Sequence, residues 1–428
     1  MKRWRTAWVV LLAGCAAASA VAQVSLPVPQ LPLPPLPGAV NDTLRTAGSP
    51  LAGLRKLRVQ ELLRRERATV EADPDGHPIL RRQVGALSPA PEALSRARAA
   101  GFAVLSERAL GGLGMELVVL EAPQGMSTRR ALQRMRKLDP DGQYDFVHLY
   151  LEGGSVQDAP AAAPVPVEPP PATAGMPVRI GLVDSGVDLA HPALAGLTVH
   201  RHGCDGKSLP APHGTAVASL LAGREDGFSG VQPGAVLYAA DIFCGHGGGS
   251  VALLAVALDW MAREGVPVVN ISLVGAKSVL LTGLVRAMGR RGHLLVAAVG
   301  NDGPSAPPLY PAAYPEVIGV TAVDANDRVL PEACRGEHVE FAAPGADIHA
   351  AQPGGGFAPV RGTSFATPIV AGLLAATIDK PDPLQATRAL ENLAATAVDL
   401  GRDGADRVYG RGLVGAGFRP GWVSSPSQ

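Results

Sequence analysis

Aromatic residues are scarce in this chain: Phe, Trp and Tyr make up 4% of 428 residues, while Gly (51) and Pro (39) are abundant. That bias, with much alanine, reads as a compositional habit as much as a functional signal. No charge of either sign prevails. Lys plus Arg and Asp plus Glu stand at 38 each, so no overall field points to a nucleic-acid partner. Beyond the N-terminus no apolar run approaches the roughly 18–20 residues of a membrane-spanning helix. No H-E-x-x-H occurs, which excludes the zincin mechanism. No G-x-S-x-G occurs either: GFSGV at 227–231 lacks the last glycine, which excludes the α/β-hydrolase elbow.

Cysteine is also rare, at four residues. The first lies in a segment that reads as an export signal. Lys2, Arg3 and Arg5 precede the apolar stretch TAWVVLLAG, and Ala20-Val21-Ala22 forms a small-x-small cleavage site before Gln23. Residues 1–22 are therefore expected to be removed, giving a periplasmic or extracellular product. The rival reading is Leu12-Ala13-Gly14-Cys15 as a lipobox, which would acylate Cys15 and tether the protein to a membrane. Export permits a disulfide, and Cys204 with Cys244, both in Gly-rich surroundings, is the expected pair; Cys334 is then left free. His200, His202 and His246 near those cysteines suggest zinc, but their spacing fits no common finger and no metal or cofactor is expected.

The chain divides by texture. Residues 23–73 hold a Pro-rich spacer (VSLPVPQLPLPPLP) and a basic, Leu-striped segment, LRKLRVQELLRRER. The latter reads first as a solvated charged helix, and second as one lying on an anionic surface or a partner. Residues 74–154 alternate strand-like and helix-like runs in the order β-α-β-β-α-β of a small ferredoxin-like domain, with Ser127 as a helix N-cap. Residues 155–177 are an Ala/Pro-rich linker. From 178 to 418 near-continuous apolar runs such as VRIGLVD, VPVVNISL and HLLVAAVG alternate with helical segments. That pattern predicts an α/β domain with a doubly wound, mostly parallel sheet, and residues 419–428 form a tail.

Ligands of such sheets bind beyond the carboxyl ends of the strands, so the polar residues ending these runs matter most. Asp184 ends VRIGLVD, and Asn301 follows HLLVAAVG. His213 and Ser364 each open an apolar helix, in HGTAVASLLAG and GTSFATPIVAG. Singly, each is an ordinary turn or cap residue. Together they supply a serine at a positive helix end, an imidazole to take its proton, a carboxylate to orient the imidazole, and an amide to stabilise an oxyanion. The order Asp…His…Ser differs from those of chymotrypsin-like enzymes and α/β-hydrolases.

In VRIGLVDSGVDLAHPAL, HGTAVASLLAG, VVNISLVG, AAVGNDGP, YPAAYPEVIGVTAVD, FAAPG, GTSFATPIVAG and GRGLV, residues 178 to about 418 resemble the subtilisin-like serine peptidases. The resemblance implies a serine endopeptidase with Asp184, His213 and Ser364 as its triad and Asn301 as oxyanion donor. It implies that Ser272-Leu273-Val274 and Ala298-Val299-Gly300 flank a polypeptide substrate. It also gives the ferredoxin-like region a meaning, as a prodomain that assists folding and caps the cleft. Its last strand would then enter the cleft at residues 151–156, with autocleavage between Leu151 and about Pro177. Three positions depart from the family's habit: Val274 for a glycine, Ile369 for a histidine, Ala216 for a second histidine. The valine predicts preference for a small residue before the cleaved bond. The non-enzymatic alternative, a silent subtilisin-like binding module, would be marked by loss of a triad residue, and all four positions are filled.

Overall fold

The computed structural model describes residues 53–156 and 177–418. The export signal with Cys15, the Pro-rich spacer, the linker from 157 to 176 and the tail from 419 lie outside them. Among the described residues no helix is long and apolar enough to cross a membrane.

The N-terminal part runs α1 (Leu54–Arg65), β1 (Val70–Ala72), β2 (Pro78–Leu87), α2 (Pro91–Ala99), β3 (Ala103–Leu110), β4 (Met115–Glu121), α3 (Thr128–Leu138), β5 (Gln143–Glu152) and β6 (Ser155–Val156). Its antiparallel strands stand in the order β5-β2-β4-β3, with β1 beside β2. Ser127 caps α3 by accepting from the Arg130 N–H. One sheet face, with Val84, Ala86, Val118 and Leu120, packs on Leu94, Leu132 and Met135 of its own two helices. The other face is left uncovered by α2 and α3, and an exposed apolar sheet face must be covered.

The larger part begins with β7 (Arg179–Asp184), β8 (Val199–His202), α4 (Pro212–Ala222), β9 (Arg224–Glu225), β10 (Phe228–Ser229), β11 (Val236–Asp241) and β12 (Gly249–Ser250). It continues through α5 (Val251–Arg263), β13 (Val268–Ile271), β14 (Leu273–Val274), α6 (Val279–Arg290), β15 (Leu294–Ala298) and β16 (Val317–Val323). It closes with β17 (Phe341–Pro344), β18 (Ile348–Ala351), β19 (Phe357–Arg361), α7 (Thr363–Ala375) and α8 (Pro383–Ala395). Seven of these strands form a parallel sheet in the order β17-β16-β15-β13-β7-β11-β8. Every residue from Val268 to Ile271 and from Leu294 to Ala298 is buried, as a sheet covered on both faces requires. Residues of α4 and α7 fill one side, and those of α5 and α6 the other. The order reverses between β7 and β13, the kind of switch point at which such sheets bind ligands.

Helices α5 and α6 also cover the bare face of the N-terminal sheet: Leu87, Leu117, Val119 and Leu149 share one core with Leu254, Leu258, Leu280 and Leu284. The fit is reciprocal. Leu280 lies over Gly85 and Leu87 lies over Gly283, so closely that a methyl group on either glycine would collide with the leucine. Polar pins cross the same boundary. Asp145 Oδ2 accepts from the N–H of Val279 at the start of α6 (2.7 Å), and Asp259 Oδ1 accepts from the N–H of Leu113 in the β3–β4 turn (3.2 Å). Helix α1 joins this core through Val59 and Leu62. The segment read first as a solvated helix is thus partnered by the chain's own surface, because its apolar stripe has a core to enter.

Candidate active site

Asp184 is the last residue of β7 and is 1% exposed. Its Oδ1 accepts from the Ser185 N–H (2.7 Å), the Ser185 hydroxyl (3.1 Å) and His213 Nδ1 (2.8 Å). Burial raises the pKa of this carboxylate, and the donors gathered on Oδ1, with the attraction of His213, offset part of that push. His213 lies in the first turn of α4, buried, with the Phe365 ring tilted against it at 5.3 Å. Gly214 brings that turn close: a side chain there would run into the Ser185 carbonyl, and its N–H instead donates to Ser185 Oγ (3.1 Å). Since His213 Nδ1–H donates to Asp184, the buried and unpartnered Nε2 of His213 is the basic nitrogen. Burial pushes the imidazole toward its neutral form. The attraction of Asp184 and of Glu152 outweighs that push and the repulsion of Arg58, and raises its pKa.

Ser364 is the second residue of α7, which Gly362 enters at φ 134°, a conformation reserved for glycine. Pro368 in that helix has no N–H to give the Ser364 carbonyl four residues before it. Ser272 fills the gap: its hydroxyl donates to the Ser364 carbonyl at 3.0 Å. The Ser364 hydroxyl donates in turn to the Ser272 carbonyl (3.3 Å) rather than to His213. Asn301 Oδ1 accepts from the Thr363 N–H (3.1 Å), which fixes the amide with its Nδ2 buried and unpartnered, a free donor beside the start of α7.

The chain's own residues 149–156 run through this cleft. Leu149–Glu152 lies between β12 (Gly249↔Tyr150, Ser250↔Leu149) and β14 (Leu273↔Glu152, Val274↔Leu151), antiparallel to both. Gly153 donates to the Ser272 carbonyl (3.4 Å), and β6 then pairs with β19 (Arg361↔Ser155, Val360↔Val156). A Cβ on Gly153 would stand 2.7 Å from Ser364 Oγ, 3.6 Å from Val274 Cγ1 and 3.9 Å from Ala298 Cβ. Tyr150 is fully buried against Gly275 and donates its hydroxyl to the Ala276 carbonyl (3.0 Å). An acceptor atom from each of Glu152, Asp184 and His213 lies within 4.8 Å of the others.

Ser272, Leu273, Val274 and Ala298 therefore meet this strand. Val299 faces the core, where it bonds Val320, while Gly300 is engaged with Thr363 and Cys334. Two partners were missing from the sequence reading, β12 and the end of β19. Gly-rich GGGS at 247–250 was the available signal for the first. The Cys334 thiol next to Gly300 is pushed by burial up to about 11, so it stays protonated. Cys204 and Cys244 are joined by a disulfide. His200 and His202 stack on Tyr238 and Trp260.

Residues 175–412, more than half of the chain, match the model of the subtilase family. The chain belongs to the subtilase family. It is a serine peptidase of that family, 32% identical over 252 residues to subtilisin DY of Bacillus licheniformis, which covers 56% of this chain and 89% of the relative. It is 34% identical over 247 residues to subtilisin Savinase of Lederbergia lenta, covering 56% and 90%. A minor extracellular protease, Epr, of Bacillus subtilis is 33% identical over 247 residues, covering 56% and 38%. Among solved structures, fervidolysin of Fervidobacterium pennivorans superposes with TM-score 0.63 at 23% identity over 82% of this chain. The chain spans 62% of fervidolysin's length, and that likeness speaks to fold alone.

Proposed function

We propose that this subtilase is an exported endopeptidase whose triad is Asp184, His213 and Ser364, and whose first substrate is its own Gly153–Gly154 bond. The observation that carries this reading is Gly153 itself: it is the residue held over Ser364 Oγ, with its N–H on the Ser272 carbonyl. In the reaction His213 Nε2 takes the Ser364 proton as Oγ turns from the Ser272 carbonyl and attacks the Gly153 carbonyl carbon. The oxyanion is stabilised by Asn301 Nδ2 and the Ser364 N–H at the positive end of α7. The proton passes from His213 to the leaving Gly154 nitrogen, and water then hydrolyses the acyl-enzyme.

The N-terminal domain is in this account an intramolecular inhibitor and folding aid. Strand addition against β12 and β14 supplies affinity, the buried Tyr150 anchors it, and a glycine before the cut bond suits the space that Val274 narrows. Export is supported by the N-terminal charged and apolar segment and by an extracellular relative. A fluorophosphonate probe tests the chemistry: the wild type should be labelled at one serine and Ser364→Ala should not. Folded wild type that takes no label would make the chain a binding module instead.

A further inference from the structure

Helix α1 precedes the ferredoxin-like unit, yet it reaches the cleft. Leu54, Val59 and Leu62 bury one stripe, which leaves Arg55 and Arg58, half-buried, turned to the segment over Ser364. Arg58 Nη1 donates to the Glu152 carbonyl (3.4 Å) and to the Gly154 carbonyl (3.5 Å), so the guanidinium spans the peptide that contains Gly153. One turn earlier Arg55 donates to Asp302 Oδ2 (2.7 Å), the neighbour of Asn301, with both side chains less than one-fifth exposed. Arg55, Arg58, Glu152, Gly153, Asn301 and Asp302 line a small, partly open pocket.

From this geometry we infer that Arg58 is a positioning residue for the first cleavage, aimed by the Arg55–Asp302 ion pair. The inference rests on the self-cleavage reading above. A single cationic nitrogen, Arg58 Nη1, donating to the carbonyls on both sides of one residue restrains the rotations about it. Holding a reacting carbonyl within attack geometry is itself a source of rate. Gly153 needs such a restraint more than most residues, since it has no side chain to anchor it and the widest backbone freedom. Because α1 leaves with the N-terminal fragment, the effect is confined to the chain's own bond.

The test uses full-length chains refolded by dilution from denaturant, with the N-terminal fragment followed by intact mass over time. Arg58→Ala should slow the first-order cleavage about tenfold, the size expected for loss of a charge-assisted hydrogen bond. Arg58→Lys should recover part of the rate, and Arg55→Ala should slow cleavage less. After activation, turnover of an added peptide should be unchanged. Melting of the same variants in the Ser364→Ala background separates slow cleavage from failure to fold. Wild-type rate and cleavage position in folded Arg58→Ala would overturn the positioning role while leaving self-cleavage intact. Equal slowing by Ala and Lys would overturn it in favour of packing. A wild type that labels with the probe but never cuts itself would overturn both.

Discussion

The two sheets of this molecule keep their polar groups in different places. The central strands of the parallel sheet are mostly apolar and place the residues of the proposed site at their ends: Asp184 closing β7, Ser272 after β13, Asn301 beyond β15. The antiparallel sheet instead directs polar groups across its border. Asp145 caps α6, and the open end of β5 pairs with β12 and β14. One architecture converges groups on a point; the other makes a surface that fits one partner. Chemistry therefore belongs to the larger domain and occupancy of the cleft to the smaller one. A substitution should affect one and spare the other.

Asn301→Ala should break the chemistry most sharply among substitutions that leave the triad whole. A loss of about 10²–10³ in kcat is expected, with little change in KM, the magnitude known for the same donor in subtilisin. Steady-state kinetics on an added peptide checks it. Gly85→Val should do the reverse. Overpacking against Leu280 at a cost of about 1–3 kcal/mol should lower the melting temperature of the uncut Ser364→Ala chain and leave mature turnover untouched. Val274→Gly should widen the space beside Gly153 and raise kcat/KM for peptides with a larger residue before the cut bond by about tenfold. A library cleaved best after Phe or Leu by the wild type would contradict the small-residue preference.

The smallest effect concerns pH. In the proposed reaction His213 must be neutral to accept the Ser364 proton, so its raised pKa should move the rise of activity to higher pH. Arg58 and Asp184 act on the same ring alongside Glu152. Glu152→Gln removes one attraction for the imidazolium, so the pH–rate profile of self-cleavage should shift to lower pH. Activity of the mature enzyme on peptides, from which Glu152 has departed, should be unmoved.

The parallel sheet and its strand-end residues were legible because a sheet buried on both faces demands unbroken apolar runs, and the exceptions stand out at the ends. The order of elements in the N-terminal domain was legible for a similar reason, from the alternation of strand and helix periods. Its docking was not. Gly85 and Gly283 each meet a leucine of the opposite domain, far away in the sequence, and nothing local marks either glycine as a contact. Helix α1 misled because Arg55 and Arg58 look like solvated charge until a cleft is set beside them.

The most direct measurement is the intact mass of the first fragments released by the full-length wild-type chain, beside Ser364→Ala. An N-terminal fragment ending at Gly153 is expected from the wild type and an uncut chain from the mutant. A wild-type chain that stays whole while its serine takes the probe, or a first cut at any other bond, would contradict that expectation.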